Sequence, residues 1–282
     1  MEELVGKVLG SSPPNKAAAE SLRGVIGFAR SHCYGRCGAI ALHFLSEIVA
    51  GRVAKITPEG AELLEFWPRY LREATPRQVS VADKRRPILV FTDGAEEGEG
   101  GSTEVGVGGL IIDPEAADPS DLGPASKNRL VRNQGHVSGR FAFGGLAPAE
   151  VVGNWRATNG REKVIHQAEL WPAQLAAEAW AAQLAGRKVV LFVDNDAARA
   201  ALVKGATSSP ASAQIVHRFW EAVTRAHAQV WVERVASAAN PADGPSRNDW
   251  AWCRAKGFSR QSLQHLVAFS DGGNKAPMGG AP

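Results

Sequence analysis

The chain has 282 residues, 44% of them hydrophobic, with a formal net charge of +3. That length holds one large domain or two small ones, and the apolar content is that of a globular chain. No apolar run approaches the length of a membrane span, and the start, MEELVGKVLG, lacks a secretory h-region, so an intracellular protein without membrane association is expected.

Charge is unevenly spread. From Asp93 to Asp121 there are nine acidic residues and no Lys or Arg, and from Lys127 to Lys163 seven basic residues against two acidic. An acidic rim beside a basic band would suit cations on one side and phosphate on the other; two solvated segments of opposite sign explain the counts equally well.

Residues 1–15 read as mixed and end in the breaker SSPPN. From Lys16 to Gly51 the pattern is helical: Leu22, Val25, Ile26 and Ala29 recur at i, i+3, i+4 and i+7, Gly35 and Gly38 interrupt, and Ile40–Val49 resumes. His32, Cys33 and Cys37 lack a second pair of ligands, so the cysteines are read as structural thiols. Thr57-Pro58 starts a further helix, with Thr57 as cap. Its apolar positions run through Leu63, Phe66, Trp67 and Tyr70, with Pro68 as an interruption.

After a linker, RRPILVFTDGA gives an apolar run bounded by Pro87 and Gly94, a buried strand that carries Asp93 to its carboxyl end. Thr103–Ile112 is a second strand whose glycines predict close approach of another backbone. A polar excursion at 113–135 leads to a short third strand, 139–143, closing an antiparallel meander. A helix over about 167–186 follows, with Pro172 acceptable only in the first turn. Glu169 then lies near the amino end, where the helix dipole favours a carboxylate. Glu178, nine residues on, faces the other way. A second apolar strand, 188–193, again ends in Asp, at Asp194, which opens a short helix to about Lys204. Ser209-Pro210 starts another helix. QVWVERV, 229–235, is a fifth strand, and Asn240-Pro241-Ala242-Asp243 places Asp243 at a helix start. Trp250 and Trp252 read as packing residues, and the tail beyond about 270 as disordered.

A strand–helix–strand unit makes the fourth strand parallel to the first if the two are neighbours. Asp93 and Asp194 then meet in the crevice at the carboxyl ends of the strands, where open α/β sheets place ligands. With Glu169 and Asp243 they form a four-carboxylate set that cannot all stay ionised without cations. Hard, oxygen-loving cations fit such a set, Mg²⁺ above all. A pair of them would suit phosphodiester cleavage. Taken singly, each Asp reads as a turn residue and the Glu as a dipole partner; the ordered set carries the metal reading.

VFTDGA, IHQAEL opening a helix, LFVDNDAA and NPADGPSR together resemble ribonuclease H of the retroelement type, over roughly Arg85 to Gly257. The resemblance implies an α/β fold with a five-stranded mixed sheet, three antiparallel strands then two parallel, and helices on both faces. It implies hydrolysis of the RNA strand of RNA–DNA hybrids with two Mg²⁺ ions, Mn²⁺ being a workable substitute. Asp93 would bridge both ions, Glu169 and Asp194 would complete the leaving-group side, and Asp243 would hold the ion that activates the attacking water. Arg132, Arg140, Arg156 and Lys163 are the candidate phosphate contacts for the hybrid. The first 80 residues look similar to the thumb and connection that precede such domains in reverse transcriptases. That implies a division into 1–80, 85–258 and a 259–282 extension, with a polymerase module upstream in a larger polyprotein. The chain departs from the family's pattern at Gly244-Pro245, which interrupts the helix expected to carry Asp243, and at the acidic turn Glu96, Glu97, Glu99. A non-catalytic remnant that binds nucleic acid or protein is the alternative reading. Transposases and integrases usually place their Glu last, whereas here it is second, which favours the hydrolase order.

Overall fold

The computed structural model describes residues 1–32, 36–73, 83–98, 103–116, 138–160 and 162–272. In chain order it contains α1 (Glu2–Leu9), α2 (Lys16–His32), α3 (Ala39–Val49), α4 (Pro58–Glu73), β1 (Ile88–Glu97), β2 (Glu104–Ile112) and β3 (Arg140–Leu146). Then come α5 (Ala149–Asn159), α6 (Ile165–Ala179), α7 (Ala181–Leu184), β4 (Lys188–Val193), α8 (Asp196–Lys204), α9 (Pro210–Arg225) and β5 (Gln229–Arg234). The chain closes with α10 (Asp243–Ser246), α11 (Ala251–Ala255), β6 (Ser259–Gln261) and α12 (Leu263–Gly272).

The strands form one sheet in the order β5-β4-β1-β2-β3-β6. β1, β2 and β3 are an antiparallel meander, and β4 and β5 extend it as parallel strands on the β1 side. This is the expected α/β arrangement with one strand more. Residues 259–261, SRQ, have no apolar alternation to announce a strand; they become one by pairing parallel with the open edge of β3.

Other expectations shift too. Residues 2–9 are helical, with Val5 and Val8 buried, because two apolar positions three apart suffice for one short face. The expected helix over 167–186 is broken at Trp180 into α6 and α7. Pro172 sits in the interior of α6, at its eighth position rather than in the first turn, and Pro68 is likewise inside α4. Pro172 is buried, in a helix that packs on β1 and β2 and is itself covered by α9. Of the two tryptophans, Trp250 is buried and Trp252 is exposed. Cys37 and Cys253 are buried, and Cys33 lies outside the described residues.

Strand parity sorts the core. Ile88, Val90, Val107, Ile111 and Phe143 point to one face, where α6 covers β1 and β2 and α9 packs on α6. The even positions of β2, with Phe91 and Ala142, point to the other face, where α10 and α11 bring Ala242, Trp250 and Cys253. The N-terminal helices join the first core. Phe66 of α4 stacks on Tyr70 and meets the His217 ring of α9 edge-on at 5.1 Å. Arg69 reaches the buried Glu221 at 3.7 Å. Arg36 donates to the Val203 carbonyl at 2.9 Å. At the opposite sheet end, Arg187 pairs with Asp113 through both terminal nitrogens, at 3.0 and 2.9 Å, tying the start of β4 to the end of β2. No helix among the described residues is long and apolar enough to cross a membrane.

Candidate metal centre

β1 does not end at Asp93. It runs on to Glu97 because β2 continues to pair with it. What ends near Asp93 is the parallel ladder: β4 stops at Val193, and beyond it the crevice beside β1 opens. The ladder pairs Ile88 with Val189 and Phe91 with Phe192, a constant offset of 101 residues. Continued by two residues, that register brings Asp194 level with Asp93, both on the same face of the sheet.

Glu169 arrives from the other side. Gly94 has no side chain where α6 crosses β1, and a Cβ there would stand 2.3 Å from the Ala168 carbonyl carbon and 2.6 Å from the Glu169 nitrogen. Only glycine permits that approach. It carries Glu169, the fifth residue of α6, to the mouth of the crevice.

One oxygen from each of Asp93, Glu169 and Asp194 lies within 4.8 Å of the others. Asp93 and Glu169 are buried. Burial first, then the neighbouring charges of Asp194 and Asp93, pushes the Glu169 carboxyl up to about 8. Burial likewise raises Asp93 to about 6, opposed by the Ser246 hydrogen bond and reinforced by the charges of Asp194 and Asp243. Glu169 Oε2 and Asp194 Oδ1 are buried without a hydrogen-bond partner among the described residues. Orphaned acceptors of this kind are costly, and a cation between them relieves both the lost hydration and the mutual repulsion. An all-oxygen, anionic donor set fits a hard divalent ion such as Mg²⁺. Asp194 is not the cap of α8; Asn195 is, accepting from the Ala197 and Ala198 N–H groups at 3.0 Å each. Asn195 Nδ2 also reaches Glu169 Oε1 at 3.5 Å.

Asp243 stands apart from the three-oxygen cluster. It opens α10, which lies over β1, β2 and β3, and its Oδ1 accepts from Arg247 Nε at 2.9 Å. Arg247 also pairs with Glu97 of β1. The glycines of β2 and β3 are what admit α10. A Cβ on Gly106 would lie 2.0 Å from the Ser246 carbonyl oxygen, one on Gly108 2.6 Å from the Ala242 carbonyl oxygen, and one on Gly144 2.4 Å from that of Pro245.

Of the four candidate phosphate contacts, Arg132 lies outside the described residues. Arg140 starts β3 opposite Ile112, four residues from the level of Asp93, and donates to the Lys256 carbonyl at 2.6 Å. It is at the far end of the sheet from the carboxylates. Arg156 donates to the carbonyls of Glu162 at 3.1 Å and Thr103 at 3.4 Å. Lys163 is exposed in the turn before α6. These two lie toward the carboxylate end. Sequence reading does not single out Asn195, Asn240, Ser246 or Gly94 as site residues, although DGA, DND and NPADGPSR contain them all.

The chain matches no protein-family model and no curated protein. Among solved structures it is similar to ribonuclease H1 of the halophilic archaeon Halobacterium salinarum, at 18% identity over 58% of this chain and 96% of that one, with a TM-score of 0.38. It is also similar to the N-terminal ribonuclease H domain of a Mycobacterium tuberculosis protein fused to maltose-binding protein. There the identity is 12% over 60% of this chain and 97% of that one, with a TM-score of 0.36. Likeness at that level carries no functional weight beside the sheet order and the carboxylate geometry.

Proposed function

We propose that this chain is a divalent-cation-dependent nuclease that hydrolyses the RNA strand of RNA–DNA hybrids, with Mg²⁺ as its ion and Mn²⁺ as a substitute. The observation that carries the reading is the convergence of Asp93, Glu169 and Asp194, two of whose buried oxygens have no partner among the described residues. The hybrid substrate rests on the motif resemblance of VFTDGA, IHQAEL, LFVDNDAA and NPADGPSR.

In this reading a bound pair of cations supplies an activated water and charge neutralisation at the leaving oxygen. Asp93 is central to the set. Glu169 and Asp194 close one side, and Asp243 belongs to the other. Arg247 and Asn195 hold Asp243 and Glu169 respectively, so neither carboxylate has to be ordered at the moment of reaction. Arg156 and Lys163 are the better placed of the named phosphate contacts, and backbone contact would give binding without base readout. Placement within a retroelement reverse transcriptase, with the first 80 residues as a thumb- or connection-like segment, 85–258 as the nuclease domain and a polymerase module upstream, belongs to the same proposal.

The test is a strand-specific assay. The purified chain and Asp194→Asn are incubated with RNA–DNA hybrid labelled on either strand, with Mg²⁺ or chelator. Cleavage of the RNA strand alone is expected, abolished by chelator and reduced roughly a hundredfold or more in the variant, the scale of losing a metal ligand. Equal cutting by both proteins refutes the assignment. A non-catalytic, nucleic-acid- or protein-binding remnant is the second reading, favoured by Asp243 lying outside the three-oxygen cluster, in an ion pair with Arg247. Hybrid binding without cleavage, at any Mg²⁺ or Mn²⁺ concentration, would select it.

A further inference from the structure

The segment that delivers Asp243 makes a second set of contacts. Asn240 and Ser246 are almost fully buried, at 5% and 2% exposure, in a stretch whose charged residues face solvent. Both aim at Asp93, which is about 150 residues away in sequence. Asn240 Nδ2 donates to the Thr92 carbonyl at 3.0 Å and to Asp93 Oδ1 at 3.3 Å. Ser246 Oγ donates to Asp93 Oδ2 and also lies 2.9 Å from the Asp243 carbonyl. Asn240 Oδ1 turns back to accept the Ala242 N–H at 3.2 Å, which fixes the amide orientation.

The donor count is informative. A carboxylate has about four lone-pair sites, two on each oxygen. Asn240 takes one on Oδ1 and Ser246 takes one on Oδ2, leaving one on each oxygen for the crevice. The Ser246 hydroxyl has one proton and two acceptors within reach, so it serves Asp93 whenever that carboxylate is charged. The reach itself depends on the bare backbones of Gly106, Gly108 and Gly144, which let α10 settle directly on the sheet. With alanine at any of the three, Ser246 could not stand where it does.

We propose that Ser246 and Asn240 are positioning residues for the cation site: they clamp one lone pair on each Asp93 oxygen, present the remaining pair on each to the ions, and couple Asp93 to Asp243 through α10. The proposal rests on the nuclease reading above and assigns the NPADGPSR segment a role beyond its single carboxylate. Its effect reaches the ions only through Asp93, so it changes cation affinity before it changes substrate affinity.

The experiment is calorimetric titration of Mg²⁺ and Mn²⁺ into the full chain and into Ser246→Ala, Ser246→Thr and Asn240→Ala, with circular dichroism to establish that each is folded. Wild type binds the cation. Ser246→Ala and Asn240→Ala are expected to bind it about 10- to 100-fold more weakly, the usual scale for losing an outer-shell partner. Ser246→Thr, which keeps the hydroxyl, should recover most of the affinity. In the hybrid assay the two alanine variants should lose kcat at low Mg²⁺, regain it at high Mg²⁺ and keep the wild-type KM. Should Ser246→Ala fail to fold, Asn240→Ala carries the same test. Cation affinities within about twofold of wild type in the folded alanine variants overturn the positioning role while leaving the nuclease reading intact. Absence of cation binding by wild type overturns both.

Discussion

Replacing Glu169 with Gln separates the electrostatic account of the site from a purely steric one. Gln has nearly the same shape but no charge. The Glu169 carboxyl titrates near 8 in the folded chain, against an ordinary value of 4.5. A carboxylate raised in this way favours the folded state below its unfolded pKa, and that advantage is lost as the pH rises through the folded pKa. Between pH 4.5 and about 8 the cation-free chain therefore becomes less stable with rising pH. At about 1.4 kcal/mol per pKa unit the full window is on the order of 4 to 5 kcal/mol. Burial of the charge is the larger cause and repulsion from Asp194 and Asp93 the smaller, so Glu169→Gln should recover about 2 to 4 kcal/mol of it at about pH 8.5 and almost none at about pH 4.5. The assay is urea unfolding from about pH 4.5 to 9 in chelator, repeated with Mg²⁺. Wild type should gain stability from Mg²⁺ most strongly at high pH, where protons no longer compete for the ligands, and the variant should gain little. A variant that is less stable than wild type at high pH in chelator, or one that responds equally to Mg²⁺, refutes the reasoning.

Two further outcomes follow from packing. Gly94→Ala places a methyl 2.3 Å from the Ala168 carbonyl carbon, where ordinary contact begins near 3.4 Å, so the first turns of α6 must retreat by about 1 Å. Loss of about 1 to 3 kcal/mol is expected, together with the Mg²⁺-induced rise in melting midpoint; unchanged values of both would contradict the close approach. Arg187→Met leaves the largely shielded Asp113 without its bidentate partner and should cost about 2 to 3 kcal/mol in urea unfolding, with the carboxylate cluster undisturbed. Adding Asp113→Asn should restore part of that loss, and full additivity in the double variant would show that the pair does not act as a unit.

Much of the site is readable in the chain because its geometry is carried by local patterns. Two apolar runs ending in Asp, at 88–93 and 188–194, need only the parallel-crossover rule to bring them side by side, and the ladder register places them level. The glycines of β2 announce a backbone neighbour, and α10 is that neighbour. What escapes reading depends on long-range pairing. Ser259–Gln261 is a strand only because β3 offers it an edge. Sequence proximity groups Arg140 with the basic band, yet its position at the start of β3 takes it to the wrong end of the sheet. Pro172 breaks the local helix rule in a helix that packs on the sheet and is covered by α9. Ser246 and Asn240 carry no sign in their own neighbourhood of an acceptor about 150 residues away.

The 101-residue offset of the β1–β4 ladder has a kinetic corollary. Hairpin pairings such as β1 with β2 close short loops and can form early, whereas joining β1 to β4 must first bear the chain entropy of a much longer closure. By loop-closure entropy alone, Asp93 and Asp194 are expected to come face to face after the hairpin has formed. Divalent ions present during refolding should accelerate that docking step while leaving the hairpin phase untouched, so an ion would act on the rate of assembly as well as on its endpoint.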